Sequence, residues 1–81
     1  MEVNHMFDRI TFDPKIMRGR ACIRGMRITV SLVINLVANG MATDDILKEY
    51  PDLEAEDIKQ ALQYAAALAR EEIHPLTGNH P

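Results

Sequence analysis

The residues best suited to do chemistry fall in one short stretch, Arg18-Gly19-Arg20 followed by Arg24-Gly25-Met26-Arg27. Guanidinium groups on either side of a tight turn grip a carboxylate or a phosphate through paired hydrogen bonds. Two readings of Arg24 and Arg27 stand side by side. In one they pair with Asp8, Asp13 or helix carboxylates and hold the N-terminal segment onto the rest of the domain; in the other they serve an anionic partner. Arg18 and Arg20 flank Gly19 and read as solvated and free for such a partner. Gly25 reads as a backbone requirement, because glycine takes positive φ without strain.

Other chemistries have weaker support. His5, His74, His80 and Cys22 lack zinc-ligand spacing, so no metal and no cofactor is expected. Cys22 sits between Ala21 and Ile23 and reads as a small core residue. As the single cysteine it cannot close an intramolecular disulfide, which agrees with a reducing compartment. No Ser/His/Asp set or carboxylate pair has a spacing that suggests catalysis, and the expectation is a binding protein without enzyme activity.

Charge separates the chain into two surfaces. The 81 residues carry a net charge of −3, yet residues 1–28 hold six Lys and Arg against three carboxylates, while residues 29–81 hold three against nine. The basic third could meet phosphates or an acidic partner, whereas the remainder repels them. No apolar run approaches the ~18 residues of a membrane span. The Met1–Met6 segment lacks the basic-then-apolar pattern of a secretory signal, which makes the cytoplasm the expected address and membranes unexpected partners. So short a chain buries only roughly 60% of its extended surface, which favours a homodimer or higher homo-oligomer.

The elements that must position these residues change character along the chain. Ile10-Thr11-Phe12 alternates apolar and polar, and Asp13-Pro14 favours a turn. Ala21-Cys22-Ile23 and Met26-Arg27-Ile28 flank Arg24-Gly25, the pattern of a tight hairpin. From Thr29 the period becomes helical. Thr29 is the expected N-cap of a helix with Val30, Val33, Ile34 and Val37 on one face, ended by Asn39-Gly40 with Gly40 at C′. Thr43 is expected to cap a short second helix that turns Ile46, Leu47 and Tyr50 inward and stops at Pro51. Leu53–Glu72 reads as the longest helix, with Ile58, Ala61, Leu62, Ala65, Leu68 and Ala69 as its apolar stripe. The Ala65-Ala66-Ala67 run suits close approach of another helix. One domain, residues 1–73, and a flexible tail, residues 74–81, are therefore expected, with an α+β, mainly α fold: a short N-terminal β-hairpin element packed on three helices. The last two helices are joined by a tight turn, as in a helix-turn-helix.

Two motifs carry a resemblance. Asp13-Pro14 with Gly19-Arg20-Ala21-Cys22-Ile23-Arg24-Gly25-Met26-Arg27-Ile28-Thr29-Val30 forms the first. Asn39-Gly40, Ile46-Leu47, Tyr50-Pro51, Leu53, Glu56-Asp57-Ile58, Ala61-Leu62 and Tyr64-Ala65 form the second. In order and spacing they resemble the family catalogued as domain of unknown function 433, across roughly residues 8–68. The chain departs from that pattern at Ala21, where proline is usual, at Met26, where a small hydroxyl residue is usual, and at Glu54, where Ser or Thr caps the last helix. The resemblance implies a winged or homeodomain-like helix-turn-helix bundle and an antitoxin role beside a PIN-like ribonuclease, with DNA binding for autoregulation. A stand-alone helix-turn-helix transcriptional regulator and a structural adaptor are the alternatives.

For DNA, the second helix of such a motif presents its early residues to the major groove, and here these are Glu54, Glu56 and Asp57. A carboxylate held at ~4 Å from a phosphate costs about 1 kcal/mol even in water. Lys59, Gln60 and Gln63 remain as base-reading candidates, and the Arg18–Arg27 region as an alternative contact.

Overall fold

The computed structural model describes residues 7–79, with side chains described for residues 7–70. Its first elements are two short strands, β1 (Ile10–Thr11) and β2 (Cys22–Ile23), paired antiparallel with Ile10 opposite Ile23 and Thr11 opposite Cys22. Between them the chain makes a 3-10 turn over Met17–Gly19. Asp13 starts this excursion, its Oδ1 accepting from the Lys15 N–H at 2.9 Å and its carbonyl from the Ile16 N–H at 2.8 Å.

The expected turn at Arg24-Gly25 forms. The Met26 N–H donates to the Ile23 carbonyl at 2.8 Å, with φ of 44° at Arg24 and 74° at Gly25, the two positive values of a type I′ turn. A Cβ at Gly25 would meet nothing within 4 Å, so only the backbone angle asks for glycine there. The returning Met26–Ile28 segment is not a strand. Its pairing with β2 reduces to one bridge, Cys22 with Thr29, flanked by Ile23 N–H to Ile28 carbonyl and Val30 N–H to Ala21 carbonyl. Three residues after the turn the chain is already committed to helix by the Thr29 cap, which leaves no length for a ladder.

Three helices follow. In α1 (Val30–Ala38) the Thr29 hydroxyl accepts from the Leu32 N–H at 3.0 Å. Asn39 closes the helix and Gly40, at φ 89°, is C′: its N–H reaches the Val37 carbonyl and the Met41 N–H the Leu36 carbonyl, a Schellman stop. For α2 (Thr43–Glu49) the cap position is Ala42, one residue before the expected Thr43, and no side chain caps it. Asp44 and Asp45 in the first turn face the positive end of the helix dipole instead. Helix α3 spans Ala55–Asn79, starting two residues later than Leu53 and continuing past Glu72. Its backbone is helical through the first residues of the expected tail; the side chains of that tail and residues 80–81 lie outside the described residues. The architecture is α+β and mainly α.

Phe7, Ile10, Ile23, Val30, Val33, Ile46, Leu53, Ile58 and Ala61 form the core, to which every element contributes. Burying side chains of this size contributes roughly 1.5–3 kcal/mol each for Val, Leu, Ile or Phe. The stripe expected on α3 is only half used. Ile58 and Ala61 are buried, but Leu62 turns away from the core one residue after fully buried Ala61, and Leu68 stays exposed at the rim of a groove. The α1 face divides similarly, with Val30 and Val33 buried and Ile34 and Val37 half-buried. Among the described residues no helix is long and apolar enough to cross a membrane.

Candidate partner-binding face

Among the described residues Asp57 is the one fully buried carboxylate, at 0% exposure, and its position on α3 explains why. Glu54 is the N-cap of α3 and Asp57 its third residue, so the Asp57 carboxylate turns back and accepts from the Glu54 N–H at 2.8 Å. This is one half of a capping box; the other half, a hydroxyl at the N-cap, is missing because Glu54 stands there. The rest of the carboxylate is filled from the N-terminal segment. Arg24 places Nε 3.0 Å from Oδ1 and Nη2 2.8 Å from Oδ2, a paired fork, while Arg9 Nη1 donates to Oδ1 at 2.8 Å. Arg24 Nη2 also donates to the Asp52 carbonyl, and Arg9 Nη1 to Glu54.

Burial alone would raise the Asp57 carboxyl, but the Arg24 and Arg9 guanidiniums and the Glu54 N–H outweigh it and hold the carboxyl down at about 2. The same contacts push Arg9 further above its ordinary value, through Glu54 first and Asp57 second, and raise Arg24 through Asp57. Cys22, 2% exposed on β2, is pushed up by burial and packs as a core residue.

The two readings of Arg24 and Arg27 therefore separate. Arg24 is a structural clasp between the type I′ turn and the start of α3, with a helix carboxylate as its partner. Arg27 is exposed and makes no ion pair among the described residues. It lines an open groove with Lys15, Arg18 and Arg20, floored by Pro14 and Met17. Among the described residues no carboxylate lines this groove. The loop that carries it is strained: Met17, Arg18 and Gly19 have φ of 49°, 58° and 80°, and the two non-glycine residues each cost about 1 kcal/mol or more in that region. A Cβ on Gly19 would come within 3.7 Å of the Pro14 Cα, ordinary contact, so again the backbone angle is what asks for glycine.

The DNA-reading candidates do not converge. Gln60 is buried, its Oε1 accepting from the Arg9 N–H at 2.7 Å and its Nε2 donating to Asp8 at 3.1 Å, so its amide serves the fold. Lys59 and Gln63 are exposed on α3, and neither lines the cationic groove. Asp57, read as an early residue of a DNA-facing helix, points inward instead, since a capping carboxylate must lie over the helix start. The side chains of His5, His74 and His80 lie outside the described residues.

Sequence reasoning missed Arg9, which completes the Asp57 clasp, and Lys15, which completes the groove. Glu54-x-x-Asp57 was the available signal for the first, as a capping pattern with its hydroxyl half missing. The second had none, because the bend that returns Lys15 to Arg27 is a tertiary feature.

A family model described as "Protein of unknown function (DUF433)" matches residues 10–65. The chain is also 38% identical over 58 residues to "Uncharacterized protein y4eO" of Sinorhizobium fredii (strain NBRC 101917 / NGR234), a match that takes in 72% of this chain and 26% of that protein. This chain thus spans about a quarter of the length of that relative. No solved structure matches.

Proposed function

The chain belongs to the DUF433 family, and from that membership and the cation-lined groove we propose that it is an antitoxin-like binding module, which neutralises a PIN-like ribonuclease. The observation that carries the reading is the groove of Lys15, Arg18, Arg20 and Arg27, four cations without a carboxylate among them on a chain of net charge −3. Like charges gathered this way oppose folding slightly, so their placement favours a contact outside the chain. A ribonuclease of that type holds a divalent metal in clustered carboxylates. An arginine from the groove, presented on the strained Met17–Gly19 loop, replaces the cation there and closes the site. The contact is charge-assisted and bidentate, the form in which arginine binds carboxylates best.

Autoregulation by DNA binding belongs to this reading through the same groove, because the exposed first residues of α3, Glu54 and Glu56, oppose phosphate. Helix-turn-helix readout by α3, the basis of the stand-alone regulator, lacks that support. Self-association of so small a domain is part of the proposal, and sedimentation velocity at two concentrations checks it. Co-expression with the product of the neighbouring gene tests the central step. A stable complex and relief of growth arrest are the expected results; absence of both refutes the reading.

A further inference from the structure

Beside the cationic groove runs a second one, of about 340 Å³, lined by Phe12, Ala21, Val30, Tyr64, Ala65 and Leu68. It is open and apolar. Phe12 is 49% exposed and Leu68 52%, and Phe12 leans on Tyr64 at 6.2 Å between ring centroids. Single exposed apolar residues are ordinary, but these converge on one trough from the residue after β1, the residue before β2, the start of α1 and α3. Thr29 borders it, yet its hydroxyl is spent on the Leu32 N–H. Arg20 lines both grooves and joins them into one surface, apolar at one end and cationic at the other.

We propose that the joined grooves dock an acidic amphipathic segment of a protein partner, seating its apolar side chains between Phe12 and Leu68 and its carboxylates on Arg20 and the cations beyond. The proposal deepens the binding-module reading and rests on it for the identity of the partner. Charge complementarity selects this occupant. A second copy of the chain, meeting the same patch across a two-fold axis, would bring like-charged Arg20 regions together. A nucleic acid would satisfy the cations, but the walls of Ala21, Val30, Ala65 and Leu68 offer base edges nothing to pair with. A helix or strand with apolar residues on one side and carboxylates at one end satisfies both grooves at once.

Selection of random peptides of about 12 residues on the full-length chain tests this, followed by fluorescence anisotropy of the enriched peptide. Enrichment of Asp and Glu next to Leu, Ile or Phe is expected. Arg20→Glu and Leu68→Asp should each weaken that peptide by about tenfold or more, while Lys59→Glu leaves it unchanged. Both altered residues are exposed, and circular dichroism checks that each variant keeps its helix content. The proposal is overturned by no enrichment, by neutral or basic winners, or by variants that bind as the parent does. A dimer that Leu68→Asp splits also overturns it, as does an oligothymidylate of about 12 nucleotides that displaces the peptide and itself loses binding in Leu68→Asp. If a ribonuclease complex forms but ignores Leu68→Asp, this surface assignment falls and the antitoxin reading stands; acidic peptides without any ribonuclease complex give the reverse.

Discussion

Asp57 carries more of the molecule than its exposed neighbours do, because four donors from three segments meet on one buried carboxylate. Asp57→Asn should destabilise the fold by roughly 3 kcal/mol, the low end for a broken buried pair, since Arg9 and Arg24 are 27% and 36% exposed and partly rehydrate. A urea midpoint measures this. Acid should act through the same residue. With the folded carboxyl at about 2, below its ordinary 3.8, the unfolded chain takes up a proton first as pH falls. The contribution is full above about pH 4 and is lost toward pH 2, on the order of 2 kcal/mol. The Asn variant should lose less over that range; parallel losses in both proteins would contradict the assignment. Gly25 makes a separate prediction. Gly25→Ala meets no atom but must hold φ near 74°, so it should cost about 1 kcal/mol, measured the same way. At this scale the sequence marked Arg24 and a helix carboxylate as possible partners, but it could not choose Asp57 over the others, because burial depends on how β2 lies against α3.

Helix starts and stops show which local rules were legible. The Thr29 cap and the Gly40 stop rest on contacts within five residues, and both form as their residue types require. Thr29→Ala should therefore loosen the start of α1 and cost about 1 kcal/mol, seen in urea unfolding, with a loss well under half that weakening the capping argument. Elements that depend on distant contacts were less legible. The strand expected over Met26–Ile28 is cut short by the Thr29 cap, and β2 pairs on its other edge with β1, across ten intervening residues that no turn signal at Arg24 could reveal. The outer half of the α3 stripe shows the same limit from the other side. Leu62 and Leu68 fit the period of the stripe, yet Leu62 turns away from the core beside fully buried Ala61, and Leu68 is left open at the rim of a groove.

For the whole molecule, the division of charge along the sequence survives as a division of surface, though with different members. Arg9 and Arg24 leave the basic set to clasp Asp57, and Lys15 joins Arg18, Arg20 and Arg27 on the groove. The cations that hold the fold together are thus not the ones that line the groove. Reversing any one of the groove cations should leave the fold within about 0.5 kcal/mol of its parent, as a single exposed substitution usually does, whereas reversing Arg24 should not. The most direct measurement is pull-down of the product of the neighbouring gene, which the proposal takes to be a ribonuclease, by the native chain and by a variant with Lys15, Arg18, Arg20 and Arg27 all changed to Glu, alongside urea unfolding of both. The groove account expects the variant to fold as the parent does and to retain none of the ribonuclease. A folded variant that still captures the enzyme at parental yield would contradict it.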